Sequence, residues 1–271
     1  MSYLQEMFGC DTTVVAITGG GGVIAGALAE ALLKAGARVS LWDIHQKDAD
    51  AAQERLAEAA GGTDRILPVE ADTTSEASVA DAMEKTIARF GDLNVLINCA
   101  GGNRGMVRFL DLDVAQFEQI LRLNLVAGLV VPTKVVVARW IQMKRKGSII
   151  NMASMSSFVP LSGVWAYDAA KAAVKNLTEA TAKEFAPYGI RVNALAPGFF
   201  IGKQNRALLI DERSGELTER GKNVIHHTPF GRFGDTSELA GALLFLASNA
   251  AAGFVTGVTL PVDGGYLVDN I

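Results

Sequence analysis

Short, unbroken apolar runs alternate along this chain with longer stretches whose apolar residues recur every third or fourth position. The first run, Val14-Val15-Ala16-Ile17-Thr18, ends in four glycines, and residues 24–35 follow with helical composition and stop at Gly36. That order predicts strand, turn and helix. The alternation repeats as strand 39–42, helix 49–60, strand 66–69, helix 75–90 and strand 95–98. It resumes with a helix starting near Asp113, where Asp113 and Gln116 suit a capping box. Strand 148–152, a helix around Tyr167, strand 191–195, a helix near Glu238 and strand 258–262 complete it. Strands that are apolar throughout are buried on both faces. The pattern therefore predicts an α/β fold, a single Rossmann-type doubly wound parallel sheet of about seven strands with helices on both faces.

Two stretches depart from the alternation. Residues 123–137 are apolar but interrupted by Asn124, Pro132, Thr133 and Lys134, which predicts a buried helix, and no unbroken apolar run reaches the ~18 residues of a membrane span. From Pro197 to Glu238 the chain is rich in Gly, Asn, Arg and His and too long for an ordinary connection, which predicts a substrate loop at about 199–235.

The 271 residues can form one domain, 1–271, and 49% hydrophobic with 20% charged residues is ordinary for a globular protein. A formal net charge of −4 and no basic tract give no reason to expect nucleic acid. Cys10 and Cys99 have neither metal-ligand nor disulfide-framework spacing, which fits a reducing cytoplasm and no metal. No charged segment followed by an apolar core marks the N-terminus as a targeting signal, and no membrane partner is expected.

The chemistry concentrates in Tyr167-Asp168-Ala169-Ala170-Lys171, thirteen residues after Ser154. A tyrosine and a lysine four apart share a helix face, so the ammonium can favour the ionised phenol. A phenol that exchanges a proton near neutral pH suits alcohol–carbonyl chemistry. Glycines between a first strand and its helix let the backbone approach a pyrophosphate at the helix N-terminus. Asp43 ends the second strand 24 residues after Gly19. A carboxylate there can accept ribose hydroxyl hydrogens and repels a 2′-phosphate, which favours NAD over NADP, although His45 and Lys47 are near.

The glycine turn, Asp72, Asn98-Cys99-Ala100-Gly101, Asn124, Ser154, Tyr167, Lys171, Pro197-Gly198 and Val262-Asp263-Gly264-Gly265 together resemble the short-chain dehydrogenase/reductase family nearly end to end. The resemblance implies a catalytic set of Asn124, Ser154, Tyr167 and Lys171. Tyr167 would be the general acid/base and Ser154 would hydrogen-bond the substrate oxygen. Lys171 would bind the nicotinamide ribose and lower the tyrosine pKa, and Asn124 would hold a water that passes the proton on. It further implies cofactor contacts from Gly19, Gly20, Gly22, Val23 and Ile24 at the phosphates, Asp43 and Ile44 at the ribose, and Asp72 and Thr73 at the adenine. Asn98, Ala100, Gly101, Pro197, Gly198 and the Phe200 backbone would line the rest, with Tyr167 and Lys171 also touching the cofactor. Val23 and Ala25 stand where the family usually has glycines, and Gly202 stands where many members have threonine. A homotetramer, or a homodimer, is implied as well.

Within the family, the glycine turn, Ala196-Pro197-Gly198-Phe199-Phe200, residues 204–209 and residues 227–234 resemble the D-mannonate oxidoreductase (fructuronate reductase) branch, although a longer insertion usual after residue 103 is missing. A hexonate needs a cation for its carboxylate and polar groups for its hydroxyls; Asn103, Arg104, Gln204 and Arg206 are the candidates, with Arg206 or Arg104 meeting the carboxylate. Another polyol, sugar or sugar acid (a sorbitol- or gluconate-type dehydrogenase), a 3-oxoacyl reductase, and a non-catalytic NAD-sensing protein are the alternatives.

Overall fold

A computed structural model describes residues 2–103, 105–202, 206–211 and 213–269. Seven parallel strands form one sheet in the order β3-β2-β1-β4-β5-β6-β7: β1 (Val14–Thr18), β2 (Arg38–Asp43), β3 (Ile66–Glu70), β4 (Val95–Asn98), β5 (Gly147–Met152), β6 (Ile190–Pro197) and β7 (Thr259–Val262). The helices are α1 (Tyr3–Phe8), α2 (Val23–Lys34), α3 (Gln46–Ala60), α4 (Glu76–Phe90), α5 (Val114–Leu121), α6 (Val131–Gln142) and α7 (Trp165–Phe185). The chain then adds α8 (Arg206–Leu209), α9 (Glu219–His226), α10 (Ala240–Ala247) and α11 (Asn249–Ala252).

The unbroken apolar runs are explained by what covers them. Every residue of β1, β5 and β6 is buried. Val15 and Ile17 join one core with Leu28 and Leu32 of α2, Leu56 of α3 and Leu243 of α10. Val14 and Ala16 face the other, with Met83 and Phe90 of α4 and Val136 and Trp140 of α6. Strand order reverses at β1, which pairs with β2 on one side and β4 on the other. Such a switch point opens a crevice at the carboxyl ends of the strands.

One cap follows the sequence expectation and two segments differ from it. Asp113 caps α5 by accepting from the N–H groups of Ala115 (2.8 Å) and Gln116 (3.3 Å). The apolar helix then runs on through a π-helical stretch, Arg122–Val130, into α6. By length and a mean hydropathy of 1.8, Val114–Gln142 is long and apolar enough to cross a membrane, but 56% of its apolar window is buried in the fold, against α4 and α7, in keeping with the buried helix expected at residues 123–137. The stretch after β6 is a folded insertion: a bridge pairs Ile210 with Leu217, and α8 packs on α9 so closely that a Cβ on Gly221 would lie 2.2 Å from the Leu209 carbonyl oxygen.

Candidate active site

A cleft of ≈ 640 Å3 opens over the switch point, a size suited to a large organic ligand. Its floor is set by Thr18, whose hydroxyl at the end of β1 accepts from the N–H groups of both Cys99 and Ala100 (3.0 Å each). Gly19, at φ +65°, crosses so close to Ala100 that a Cβ would lie 3.0 Å from its Cα. Gly22 then caps α2 without a side chain. The first amides of that helix, from Val23 onward, have no intrahelical acceptor and face the cleft, ready for a phosphate. Val23 and Ala25 in place of glycines do not close this cradle.

Most of the residues expected at the cofactor lie on the cleft wall, and some do not. Gly19, Gly22, Val23, Ile24, Asp43, Ile44, Asp72, Thr73, Ala100 and Gly101 all line the cleft. So do Asn103, Ser154, Tyr167, Lys171, Pro197, Gly198 and Phe200. Gly20 does not: it faces β2, where a Cβ would lie 2.7 Å from the Leu41 Cβ, and Gly21 takes its place on the cleft wall. Asn98 is also turned away. Its amide donates to Thr133 (2.9 Å) and Asn151 (2.8 Å) inside the fold, and the next residue, Cys99, lines the cleft instead. Of the substrate candidates, Arg206 is exposed and outside the cleft lining, and Arg104 and Gln204 lie outside the described residues. Thr74, Leu161 and Arg220 line the cleft without having been singled out.

At one end, Asp43 accepts from the N–H of Gly21 (2.9 Å) through one oxygen and from that of His45 (3.2 Å) through the other. The carboxylate thus sits at the mouth of the glycine turn with lone pairs to spare. Asp72 is held likewise, accepting from the Thr74 N–H (2.8 Å) while its own N–H meets Ser78 (3.0 Å).

At the other end, Ser154 accepts from the Ser156 N–H (3.1 Å) and stands close enough to the Tyr167 hydroxyl to oppose its rise in pKa. Lys171, buried, donates to the Met152 carbonyl (2.6 Å), its ammonium 5.5 Å from the centre of the Tyr167 ring. Burial pulls the lysine down to about 8, against the pull of Cys99. Burial pushes the Tyr167 phenol up, with the Ser154 hydrogen bond opposing it. Burial of the phenol thus opposes the lowering expected from Lys171, whose ammonium stands over the ring and gives one of its three donors to Met152. Burial also drives the Cys99 thiol up to about 11, leaving it protonated and unreactive at neutral pH. Asp168, next to Tyr167, accepts from the Leu161 N–H (3.0 Å), and burial raises it to about 6.

Asn124 is buried in the π-helical stretch rather than on the cleft surface. Its amide donates to the carbonyls of Gly102 (2.7 Å) and Ile120 (2.9 Å), and its oxygen accepts from the Gly102 N–H (3.0 Å). By occupying the carbonyl four residues back, it competes with the helical ladder and accounts for the π register there. In this geometry the side chain fixes the loop after β4. Among the described residues no group of three or more His, Cys, Asp and Glu is placed to hold a metal ion.

A parallel sheet with a glycine-lined switch-point cleft and a serine, a tyrosine and a lysine on one wall defines a nicotinamide-dependent oxidoreductase of the short-chain dehydrogenase/reductase family, to which this chain belongs. A family profile described as enoyl-(acyl carrier protein) reductase matches residues 21–267. The chain is 37% identical to an uncharacterized oxidoreductase, UxuB, of Bacillus subtilis, over 93% of each protein. It superimposes on a candidate D-mannonate oxidoreductase from Haemophilus influenza with bound NAD (TM-score 0.87, 35% identity, 97% of each chain). It fits equally well a gluconate 5-dehydrogenase from Burkholderia cenocepacia J2315 in complex with NADP and tartrate (TM-score 0.87, 33% identity, 98% of this chain and 99% of that one).

Proposed function

We propose that this chain is an NAD-dependent dehydrogenase of a sugar acid, interconverting D-mannonate and D-fructuronate. The observation that carries it is one cleft with Asp43 at its ribose end and Ser154, Tyr167 and Lys171 at the other. Asp43 supports NAD, because a 2′-phosphate would meet a carboxylate. Likeness to the candidate D-mannonate oxidoreductase supports the substrate.

The cradle suits the dinucleotide: glycine backbone at the pyrophosphate, Asp43 and Ile44 at the ribose, Asp72 and Thr73 at the adenine. When bound, the nicotinamide supplies the hydride acceptor for the carbinol carbon. The chain's own residues do the rest. Ser154 holds the substrate oxygen, Tyr167 takes its proton during oxidation and returns it during reduction, and Lys171 anchors the nicotinamide ribose. Asn124 acts by holding the Gly101-Gly102 segment in place, from which a proton-relaying water would be positioned. Because the phenol is pushed up, oxidation needs it deprotonated and speeds up as pH rises, while reduction is favoured at lower pH.

We read residues 1–271 as one domain acting in the cytoplasm, which its two free cysteines support, and as a homotetramer or homodimer. The test is NADH formation from NAD or NADP with D-mannonate beside gluconate, sorbitol and a simple secondary alcohol. Fast reduction of NAD with D-mannonate supports the reading. Better turnover of gluconate with NADP would replace it by the gluconate-type activity named for the Burkholderia relative, and silence with every alcohol despite NADH binding would favour a sensing role.

A further inference from the structure

A sugar acid presents a carboxylate, and of the two arginines singled out by sequence Arg206 lies outside the cleft lining while Arg104 is outside the described residues. The insertion after β6 contains several basic residues, and three of them are already paired with a carboxylate. Lys222 is paired with Glu219 (2.8 Å), Arg232 holds Glu238 through both terminal nitrogens (2.6 and 2.7 Å), and His227 meets Asp269 (2.8 Å). Arg206 and Arg213 are exposed and outside the cleft lining.

Arg220 differs from all of these. It lines the cleft, and among the described residues no carboxylate lies within ion-pair distance of it. Among the described residues its one side-chain hydrogen-bond partner is the Met106 sulfur, 2.9 Å from a terminal nitrogen, and the Tyr266 phenol is near enough to feel its charge. A thioether is a weak acceptor, so most of the five guanidinium donors remain available. Met106 leads directly to the catalytic wall: its side chain lies 3.2 Å from where a Cβ on Gly163 would stand, and the Val107 N–H donates to the Gly163 carbonyl (3.1 Å). Gly163 is four residues before Tyr167. The acidic groups of the cleft, Asp43 and Asp72, stand at the opposite, adenosine end.

The position is also held firmly. Thr218 caps α9 by accepting from the Gly221 N–H (3.0 Å) and donates to the Leu208 carbonyl (2.7 Å). Gly221 is seated against the Leu209 carbonyl, and Val224 is buried. A planar guanidinium on a braced helix, beside the reacting end and without a carboxylate of its own, suits a bidentate carboxylate ligand. We propose that Arg220 receives the substrate carboxylate and thereby sets the preference for a sugar acid over an uncharged polyol. This rests on the reading of the chain as a sugar-acid dehydrogenase.

Three measurements test it. Wild-type kinetics come first, with D-mannonate, gluconate and the uncharged polyol D-mannitol. Arg220→Met and Arg220→Lys follow, each checked for folding by thermal melting and for NADH binding by fluorescence. D-mannonate binding to the protein–NADH complex, by calorimetry, gives a readout independent of turnover. We expect Arg220→Met to lower the kcat/KM ratio of acid to polyol by ~30–100-fold, mostly through KM, with NADH affinity kept and Arg220→Lys recovering part of the loss. An unchanged ratio in a folded Arg220→Met variant overturns the assignment of Arg220 while leaving the D-mannonate reading standing. Arg220-dependent turnover of gluconate alone does the reverse. A wild type that prefers the polyol, or binds no D-mannonate, overturns both.

Discussion

The two ends of the cleft are built by different means. At the proposed adenosine end the wall is mostly backbone: the glycine turn, the N-terminus of α2, and carboxylates at strand ends held by main-chain N–H groups. At the proposed substrate end the wall consists of side chains, those of Ser154, Tyr167 and Lys171 together with Leu208, Leu209 and Arg220 from a short helical insertion, α8 and α9, which is joined to the sheet at few points. Backbone groups are tied to the fold and are not altered by a side-chain substitution. Side-chain recognition on an appended element can change its target without disturbing the sheet, consistent with relatives named for different sugar acids sharing one fold.

Tyr167→Phe should break the substrate end most severely. Turnover should fall by ~100- to 10,000-fold while NADH affinity, set at the other end, stays close to wild type. Stopped-flow or steady-state rates beside a fluorescence titration would check this, and a variant with near-normal kcat would remove Tyr167 from its role. The converse change acts on the adenosine end. Replacing Asp43 with Ala and the exposed Ile44 with Arg should move the NADP-to-NAD ratio of kcat/KM by ~100-fold or more towards NADP, through lost repulsion and a new phosphate partner. The D-mannonate KM should hardly move, and coupled movement of both would mean the ends are not separable.

Gly20→Ala tests the backbone rule itself. Its Cβ would press on Leu41 at 2.7–3.0 Å, within the fold and away from the cleft, so it should cost roughly 1–3 kcal/mol in urea unfolding. A Gly20 variant as stable as wild type would show that β2 yields there. The smallest effect is expected at Asp168. Its carboxyl is raised from 3.8 to about 6 in the folded state, so the protonated form binds the fold better. Its stabilising contribution is full below 3.8 and is lost as pH rises through about 6. The melting temperature of wild type relative to Asp168→Asn should therefore fall between pH 4 and 7. A constant difference would mean that the group titrates normally.

Much of the fold was legible because burial on both faces leaves a direct mark: strands without polar alternation, each closed by glycine or a polar turn. Ser154, Tyr167 and Lys171 were legible because their spacing suits one helix and the loop before it. Which way a single residue at a strand end faces was not. Asn98 and Gly20 point away from the cleft while their neighbours Cys99 and Gly21 line it, since one residue of register swaps the faces. Arg220 was illegible for a related reason: nothing in the sequence fixes the rotation of α9, which is set by Gly221 seating on α8. The pKa direction of Tyr167 also escaped, because spacing reveals a nearby lysine but not the desolvation that outweighs it.

The π-helical stretch Arg122–Val130 has an evolutionary consequence. The Val131 N–H reaches back five residues to the Val126 carbonyl, and a Cβ on Gly128 would lie 2.7 Å from the Ala100 carbonyl oxygen. The helix is therefore in phase with its surroundings only at its present length. Deleting one residue between 122 and 130 would restore an ordinary helix but turn everything before it by about 100°, swinging Asn124 away from Gly102. Long surface helices tolerate small insertions and deletions, whereas this one allows substitution but not a change of length. Along a lineage, gaps should accumulate in the insertion after β6 and stop at the boundaries of this segment.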